Sequence, residues 1–217
     1  MNWAYIANHA DAFVTAGLLV IRIGLIGIVG SILIGQIIAI FRYFKIPVLT
    51  QISSIYIEIS RNTPLLIQLF FLYFGLPKVG IKLESGTCAI VGLIFLGASY
   101  MAESFRSGYN QIEVSQIEAG RALGMSELSI FAKVTLPQSW QYSFASLGAN
   151  MIFLIKETSV FSIIALADLT FVAKDLIGMH YNTNEALFML VISYLIILIP
   201  LAVIITIVDS CLKKRAK

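Results

Sequence analysis

Residues 186–211 read ALFMLVISYLIILIPLAVIITIVDSC, an apolar run whose single charged residue is Asp209. A bilayer core about 30 Å thick is crossed by roughly 20 apolar helical residues, so this run is long enough to cross it. Pro200 lies inside the run, but a membrane helix accommodates a proline as a kink. The stretch therefore predicts a transmembrane helix in an integral membrane protein.

The composition of the whole chain agrees with a membrane protein. Apolar residues make up 59% of the 217 residues and charged residues only 12%, whereas soluble domains carry about a quarter charged residues. The net charge of +3 gives no reason to expect nucleic-acid binding. Residues 1–11 lack the basic segment of a cleaved signal peptide, so the first apolar run is expected to stay in the mature protein.

Four further apolar runs precede residues 186–211, which predicts an all-α integral membrane protein with five spans in one domain, residues 1–217. In the first span Gly27, Ser31 and Gly35 recur every four residues, so they share a helix face. Such a face allows another helix to approach closely, within the bundle or at a subunit contact. The spans are expected at residues 13–41, 52–76, 88–105, 143–166 and 186–211.

Basic residues are distributed unevenly between the two sets of connecting segments. One set, which comprises residues 42–51, residues 106–142 and the C-terminal tail, holds nine Lys and Arg; the other holds only Lys78, Lys82 and Lys174. By the positive-inside rule the N-terminus is predicted outside and the C-terminus in the cytoplasm. The nine basic residues are Arg42, Lys45, Arg106, Arg121, Lys133, Lys213, Lys214, Arg215 and Lys217.

The polar segment 106–142 is predicted to hold two short helices. Gly124 is suited to end the first helix and Ser126 to cap the second. Leu136-Pro137 is expected to end the second helix, because a proline disfavours the α conformation at the residue before it. The periodicity fits both a compact cytoplasmic knob and an amphipathic loop on the membrane surface.

The order of residues within this segment resembles the EAA loop of ABC importer permeases. The resemblance is carried by Glu118-Ala119-Gly120, then Gly124, then Ile130, then Leu136-Pro137. It extends along the chain to the polar amino-acid branch of that family. RNTPLLIQLF at 61–70, YFGLP at 73–77, ASYMAESFR at 98–106, Asn150 and KETS at 156–159 are similar to its spans. Asn62 stands where that branch usually has glycine, and residues 111–116 lack the usual Ile-Pro.

The resemblance implies a multi-pass permease of the bacterial inner membrane with the type I importer fold. It implies a second permease subunit, two cytoplasmic ATPase subunits that hold ATP and Mg, an extracytoplasmic binding protein, and a polar amino acid as substrate. The residues expected to couple this chain to the ATPase are Glu118, Ala119, Gly120, Gly124, Leu136 and Pro137.

Polar side chains within the spans are the candidates for the substrate path, because an ionisable group in the membrane normally faces a cavity or a partner. Arg61 could hold a substrate carboxylate, pair with Glu58 at i−3, or reach the membrane surface. Glu103 is expected to pair with Arg106. The candidates are Arg61, Asn62, Thr63, Gln68, Tyr100, Glu103, Asn150, Glu157, Thr158 and Ser159.

Asn150 and Glu157 are seven residues apart and so share a helix face. Together they could receive an ammonium group, or they could form a buried polar contact between helices. Lys156 is adjacent to Glu157 and points elsewhere.

The sequence contains no Gly-x-x-x-x-Gly-Lys-Ser/Thr phosphate loop and no spacing typical of a catalytic or metal site. The chain is therefore expected to be a permease subunit, not an enzyme, with ATP hydrolysed by a partner. A secondary transporter or channel would explain the polar residues in the membrane equally well, but not the spacing of residues 118–137. A membrane scaffold or assembly factor without transport would need no polar residues converging in the membrane.

Overall fold

The computed structural model describes residues 1–215, and every regular element within them is helical. Lys217, one of the basic residues of the predicted cytoplasmic set, lies outside the described residues. Four helical stretches are long and apolar enough to cross a membrane: Trp3–Tyr43, Ser85–Tyr109, Glu127–Ile164 and Thr183–Lys214. The α-helices are α1 (Trp3–Tyr43), α2 (Pro47–Asn62), α3 (Leu65–Phe70), α4 (Ser85–Tyr109), α5 (Val114–Ala122), α6 (Glu127–Ile130), α7 (Leu136–Glu157), α8 (Leu169–His180) and α9 (Thr183–Arg215).

The predicted span at residues 52–76 is divided between two helices. α2 ends where Thr63 becomes extended (φ −114°, ψ 122°), and α3 starts after Pro64. A proline disfavours the helical conformation at the preceding residue, which accounts for the break. A π-helical turn, Phe71–Gly75, and a 3₁₀ turn, Leu76–Val79, then extend α3.

The side-chain amide of Gln68 forms hydrogen bonds with backbone carbonyls at the break between α2 and α3. Its Nε2 donates to the carbonyl oxygens of Ser60, at 3.1 Å, and Thr63, at 2.9 Å. These acceptors belong to the end of α2, where helix carbonyls lose their intrahelical donors. A discontinuous helix is tolerated inside a membrane when other protein groups meet the freed backbone, as Gln68 does here.

The predicted helix end at Leu136-Pro137 was wrong. α6 continues through a π-helical turn, Phe131–Thr135, into α7, and the helical run goes on to Ile164. The N–H of Leu136 donates to the carbonyl of Phe131, five residues back. The wider turn comes directly before Pro137, whose ring clashes with the preceding turn of a regular helix. The second short helix is therefore the first part of the fourth span, and the polar segment is shorter than residues 106–142.

The small residues of α1 allow it to pack tightly against α4. A Cβ atom at Gly35 would lie 2.9 Å from the backbone of both Ala98 and Ala102. Ser31 meets Gly97 in the same way: a Cβ on Gly97 would lie 2.9 Å from the Cβ of Ser31. The predicted close approach is confirmed, and the partner is a helix of the same chain.

The connection between the fourth and fifth spans is held by a buried carboxylate. Asp168 is fully buried, and its Oδ1 accepts a hydrogen bond of 2.9 Å from the N–H of Phe171 in the first turn of α8. Helices favour such an acceptor because their first N–H groups have no partner within the helix. Asp168 thus fixes the start of α8.

Candidate functional site

Arg61, at the end of α2, lies over an aromatic ring of α4. Its guanidinium carbon is 4.9 Å from the centre of the Tyr100 ring, within the range of a cation–π interaction. Glu58, which was considered as its partner, accepts hydrogen bonds from the side chain of Asn62 at its carboxylate and its backbone carbonyl. Among the described residues Arg61 forms no ion pair, so its N–H groups are available to an added anion.

Asn150 links this aromatic ring to the fourth span. Its side-chain Nδ2 donates to the backbone oxygen of Tyr100, at 3.3 Å, and to the hydroxyl of Ser104, at 2.8 Å. Phe153, one turn later on α7, packs against the Tyr100 ring with 5.1 Å between centroids. Arg61, Tyr100 and Asn150 therefore form one cluster, the Arg61–Tyr100 cluster, although they come from three separate helices.

Glu157 ends α7, two turns after Asn150, and is half-buried. Seven residues of α-helix rise about 10 Å, so Glu157 lies about that far along the axis from Asn150. Thr158 is buried and donates to the carbonyl oxygen of Ile155 at 2.7 Å, whereas Ser159 is half-buried. Glu157 and Ser159 are thus more accessible than Thr158.

The other candidates have contacts of their own. Asn62 and Thr63 lie at the α2–α3 break, where Gln68 bonds the backbone. Glu103 forms hydrogen bonds with two arginines: Arg106, at 2.6 to 3.3 Å, and Arg42 from α1. The predicted Glu103–Arg106 pair is confirmed. Arg42 as a second partner was missed, because sequence spacing carries no signal for a contact 61 residues away.

The predicted coupling segment forms an exposed knob made of α5 and the start of α6. Gly124 has φ +75°, a left-handed conformation that glycine adopts readily. Ser126 accepts from the N–H of Ser129, so the predicted cap is confirmed. A Cβ at Gly120 would lie 3.0 Å from Ile130, which shows that α5 and α6 pack closely at this glycine.

An ion pair crosses the turn of the knob. Arg121 donates to both carboxylate oxygens of Glu127, at 2.6 and 3.2 Å. Glu118 and Ala119 are exposed on the outer side of α5. Three large apolar side chains are also exposed around the knob, Val114, Leu123 and Leu128. Exposed apolar side chains among charged ones are typical of a protein–protein contact.

The π-helical turn that follows the knob joins it to the bundle through aromatic contacts. Phe131, in the π-helical turn, is buried against Tyr43, Phe44 and Tyr109, with ring centroids 4.8 to 5.5 Å apart. The hydroxyl of Tyr43 lies 3.2 Å from that of Thr135. These contacts join the turn that follows the knob to α1 and α4. Leu136 and Pro137 lie just beyond this turn, at the start of α7.

The described residues bring polar side chains together at the Arg61–Tyr100 cluster and at the knob. No group of three His, Cys, Asp or Glu side chains among them could hold a metal ion. A bundle of apolar helices with a polar cluster inside it and an exposed knob at one end defines a permease subunit of a membrane transport system.

The chain belongs to the family of binding-protein-dependent transport system inner membrane components, whose profile matches residues 14–217. A probable glutamine ABC transporter permease from Bacillus subtilis is 36% identical over 176 residues, which are 81% of this chain and 80% of that protein. The glutamine transport system permease of Escherichia coli is 28% identical, and the match covers 94% of each chain.

Solved structures with the same fold include an amino acid ABC transporter crystallised with histidines. It superposes with a TM-score of 0.90 at 25% identity and covers 97% of this chain and 98% of that one. The inward-facing MetNI methionine ABC transporter, at 19% identity and a TM-score of 0.75, has the same fold. The expected type I importer permease fold and the expected role as a permease subunit in a bacterial inner membrane are confirmed.

Proposed function

We propose that this permease forms the translocation path for a polar amino acid. Arg61 receives the substrate carboxylate by two parallel hydrogen bonds, which the planar guanidinium is shaped to donate. Glu157 receives the ammonium group. Tyr100 and Asn150 hold the surface between them, with Asn62, Thr63 and Ser159 lining the approach. The observation that carries the proposal is Arg61 resting on an aromatic ring with its N–H groups uncommitted.

The names of the relatives support an amino acid as the substrate. Glutamine appears in the names of the permeases from Bacillus subtilis and Escherichia coli, and the structure with the highest quoted TM-score is of an amino acid transporter. An α-amino acid carries a carboxylate, which Arg61 complements, and an ammonium group, which Glu157 complements. Because both groups are attached to one carbon atom, the two side chains contact them at successive points of the path. These contacts involve only the carboxylate and the ammonium group, so they do not specify which side chain the substrate carries.

The knob is the proposed docking surface for a cytoplasmic ATPase subunit. We place the end that carries Arg42, Arg106 and Arg121 in the cytoplasm, and the N-terminus outside. Two permease subunits, identical or paralogous, enclose the path, and an extracytoplasmic binding protein delivers the substrate. ATP and Mg²⁺ belong to the ATPase pair, because the sequence of this chain contains no phosphate loop.

The experiment is uptake of polar amino acids by vesicles that contain the permease with its ATPase and binding protein. Glu118→Lys reverses the charge of the exposed face of α5, and Gly124→Trp places a bulky residue at φ +75°, which only glycine adopts easily. Both variants should abolish uptake, with loss of the ATPase on purification or ATP hydrolysis without transport.

Glu113→Lys is the matched control, since Glu113 is exposed and lies five residues before Glu118 but outside the EAA-like spacing. It should keep most of the uptake and bind the ATPase. Wild-type uptake and normal ATPase recovery in both Glu118→Lys and Gly124→Trp would contradict the docking role of the knob.

A further inference from the structure

The side-chain amide of Gln68, on α3, is buried and bound to backbone atoms. Its Nε2 donates to the carbonyl oxygen of Ser60 at 3.1 Å and to that of Thr63 at 2.9 Å. Only 9% of the residue is exposed, and Oε1 is buried without a hydrogen-bond partner among residues 1–215. Both N–H bonds of the amide are thus taken, and Gln68, one of the residues expected in the substrate path, has no free donor to offer a substrate.

The two carbonyl groups that Gln68 binds lie on either side of Arg61. The carbonyl of Ser60 belongs to the peptide bond that joins Ser60 to Arg61, and Thr63 is the residue at which α2 ends. Carbonyl groups in the last turn of a helix have no donor within the helix, and helix ends fray. The hydrogen bonds from Gln68 therefore fix the backbone from which the side chain of Arg61 extends.

Close packing against α4 keeps Gln68 itself in place. Leu69, the residue after Gln68, is fully buried, and a Cβ atom at Gly92 of α4 would lie 2.8 Å from its side chain. Leu65, at the start of α3, is buried as well and would lie 3.3 Å from the same Cβ atom. Closely packed side chains pass on a displacement instead of absorbing it. The position of the amide is thus tied to α4, which also carries Tyr100.

A second contact fixes the end of α2 against α4. The hydroxyl of Ser60 lies 3.0 Å from the hydroxyl of Ser99, and both residues are buried. Ser60 directly precedes Arg61, and Ser99 directly precedes Tyr100, so this contact is adjacent to the cation–π contact. Ser60 thus sets the separation of the two helices at this level, and Gln68 sets the course of the backbone through Arg61.

We propose that Gln68 is a positioning residue of the substrate site: its amide holds the end of α2 so that the guanidinium of Arg61 stays over Tyr100 and meets the substrate carboxylate. This inference rests on the proposed role of Arg61. Because the effect of Gln68 passes through Arg61, it applies to the carboxylate and not to the ammonium group, for which Glu157 is proposed.

The test measures binding to the purified complex of the permease with its ATPase, without the binding protein, so that the dissociation constant belongs to the permease. Two ligands are compared: the polar amino acid that the transporter takes up best, and the amine that lacks its carboxylate. Gln68→Met keeps the length of the side chain but cannot donate a hydrogen bond. The amino acid should bind to it about tenfold more weakly, the lower end of what one hydrogen bond to a charged group contributes. The affinity for the amine should stay unchanged.

Arg61→Gln provides the reference for this effect. If Gln68 acts through Arg61, the double variant should bind the amino acid no more weakly than Arg61→Gln alone, because a misplaced and an absent guanidinium remove the same contact. Where Gln68→Met reduces the yield of folded complex, Gln68→Asn carries the same comparison. Its shorter side chain reaches only one of the two carbonyls, so it should show the same selective loss to a smaller degree.

Gln36→Met is the matched control. Gln36 is also a partly buried glutamine of a membrane helix, and its Nε2 donates to the hydroxyl of Tyr109 at 2.6 Å. The substitution removes a hydrogen bond between helices but leaves α2 and α3 untouched. It should therefore leave the affinity for both ligands unchanged.

Equal weakening of the amino acid and the amine by Gln68→Met would overturn the inference, because it would indicate direct contact with the substrate or a general loss of structure. Full affinity for the amino acid in both Gln68 variants, beside a weakened Arg61→Gln, would also overturn it and would leave the role of Arg61 intact. Full affinity in Arg61→Gln itself would instead refute the proposed carboxylate site, and the inference with it.

Discussion

At Arg61, sequence spacing and tertiary structure favour different partners. Glu58 is one helical turn away, which is a spacing that often gives an ion pair. The structure instead places the guanidinium over Tyr100, 39 residues later in the chain, while Asn62 bonds Glu58. The cation–π contact orients the guanidinium without neutralising it. Arg61 is therefore held in position and keeps its charge for a substrate.

Replacement of Arg61 by glutamine should weaken transport of the amino acid. Hydrogen bonds to charged groups contribute about 1.5–3 kcal/mol, so the half-saturating substrate concentration for uptake should rise about ten- to a hundredfold. Arg61→Lys should restore only part of the loss, because an ammonium cannot donate two parallel hydrogen bonds. The measurement is uptake by vesicles containing the complete transporter.

An amine analogue of the substrate without its carboxylate provides the control. If Arg61 binds the carboxylate, Arg61→Gln should not weaken competition by this analogue, whereas Glu157→Gln should. Equal loss for the amino acid and the analogue in the Arg61 variant would count against carboxylate binding.

Gly35 should be intolerant of any side chain. A Cβ there would lie 2.9 Å from backbone atoms of α4, which cannot move aside as a flexible side chain can. Gly35→Val should destabilise the protein by about 1–3 kcal/mol or more, the usual range for overpacking. Thermal denaturation in detergent would measure it. Gly86→Ala is a suitable control, because a Cβ at Gly86 meets nothing within 4 Å.

Among the helices, α7 shows how a local signal can be overridden. Pro137 predicts a helix end, but the π-helical turn before it allows the run from Glu127 to continue. Buried contacts of Phe131 with the aromatic rings of α1 and α4 keep the turn in place. Such packing between distant residues cannot be predicted from the local pattern of a single sequence. In contrast, the Thr63-Pro64 break of the second span could have been predicted from the proline itself.

The stability of α8 should depend on pH, because the carboxylate that caps this helix, that of Asp168, is buried. Burial raises the pKa of Asp168 to about 6 from its usual 3.8. The folded state therefore binds a proton more tightly than the unfolded state. The free energy of unfolding should fall as pH rises from about 4 to about 6, by at most about 3 kcal/mol.

Asp168→Asn keeps an acceptor for the N–H of Phe171 but cannot ionise, so it should raise the melting temperature at pH 7 and remove this part of the pH dependence. Asp168→Ala also loses the cap and should be less stable than Asp168→Asn by about 1 kcal/mol. Melting curves between pH 4 and pH 8 would compare the three proteins. A lower melting temperature for Asp168→Asn at neutral pH would mean that the charge itself stabilises the fold.

For the molecule as a whole, the charge distribution predicts how it sits in the membrane. Nine of the basic residues belong to the segments placed in the cytoplasm, and three to the opposite set. In a chain whose Cys88 and Cys211 are replaced by serine, a cysteine at Asn8 should react with an impermeant maleimide applied to spheroplasts. A cysteine at Lys214 should react only after the membrane is opened. Labelling of the Lys214 position alone in closed spheroplasts would reverse the orientation.

The sequence alone determined the class of this protein, because long uncharged runs, a basic bias and the EAA-like spacing are local properties of the chain. It also indicated the tight face of α1, the cap at Ser126 and the Glu103–Arg106 pair, which depend on neighbours within a few residues. The tertiary structure decided what depends on distant residues. It brought Arg61, Tyr100 and Asn150 together from three helices, added Arg42 to Glu103 and continued α6 into α7. The contacts of Arg61, Tyr100, Asn150 and Arg42 form only when the helices pack, because the residues they join are separated by tens of residues. The continuation of α6 into α7 depends on packing too, because the buried ring of Phe131 holds the turn between them.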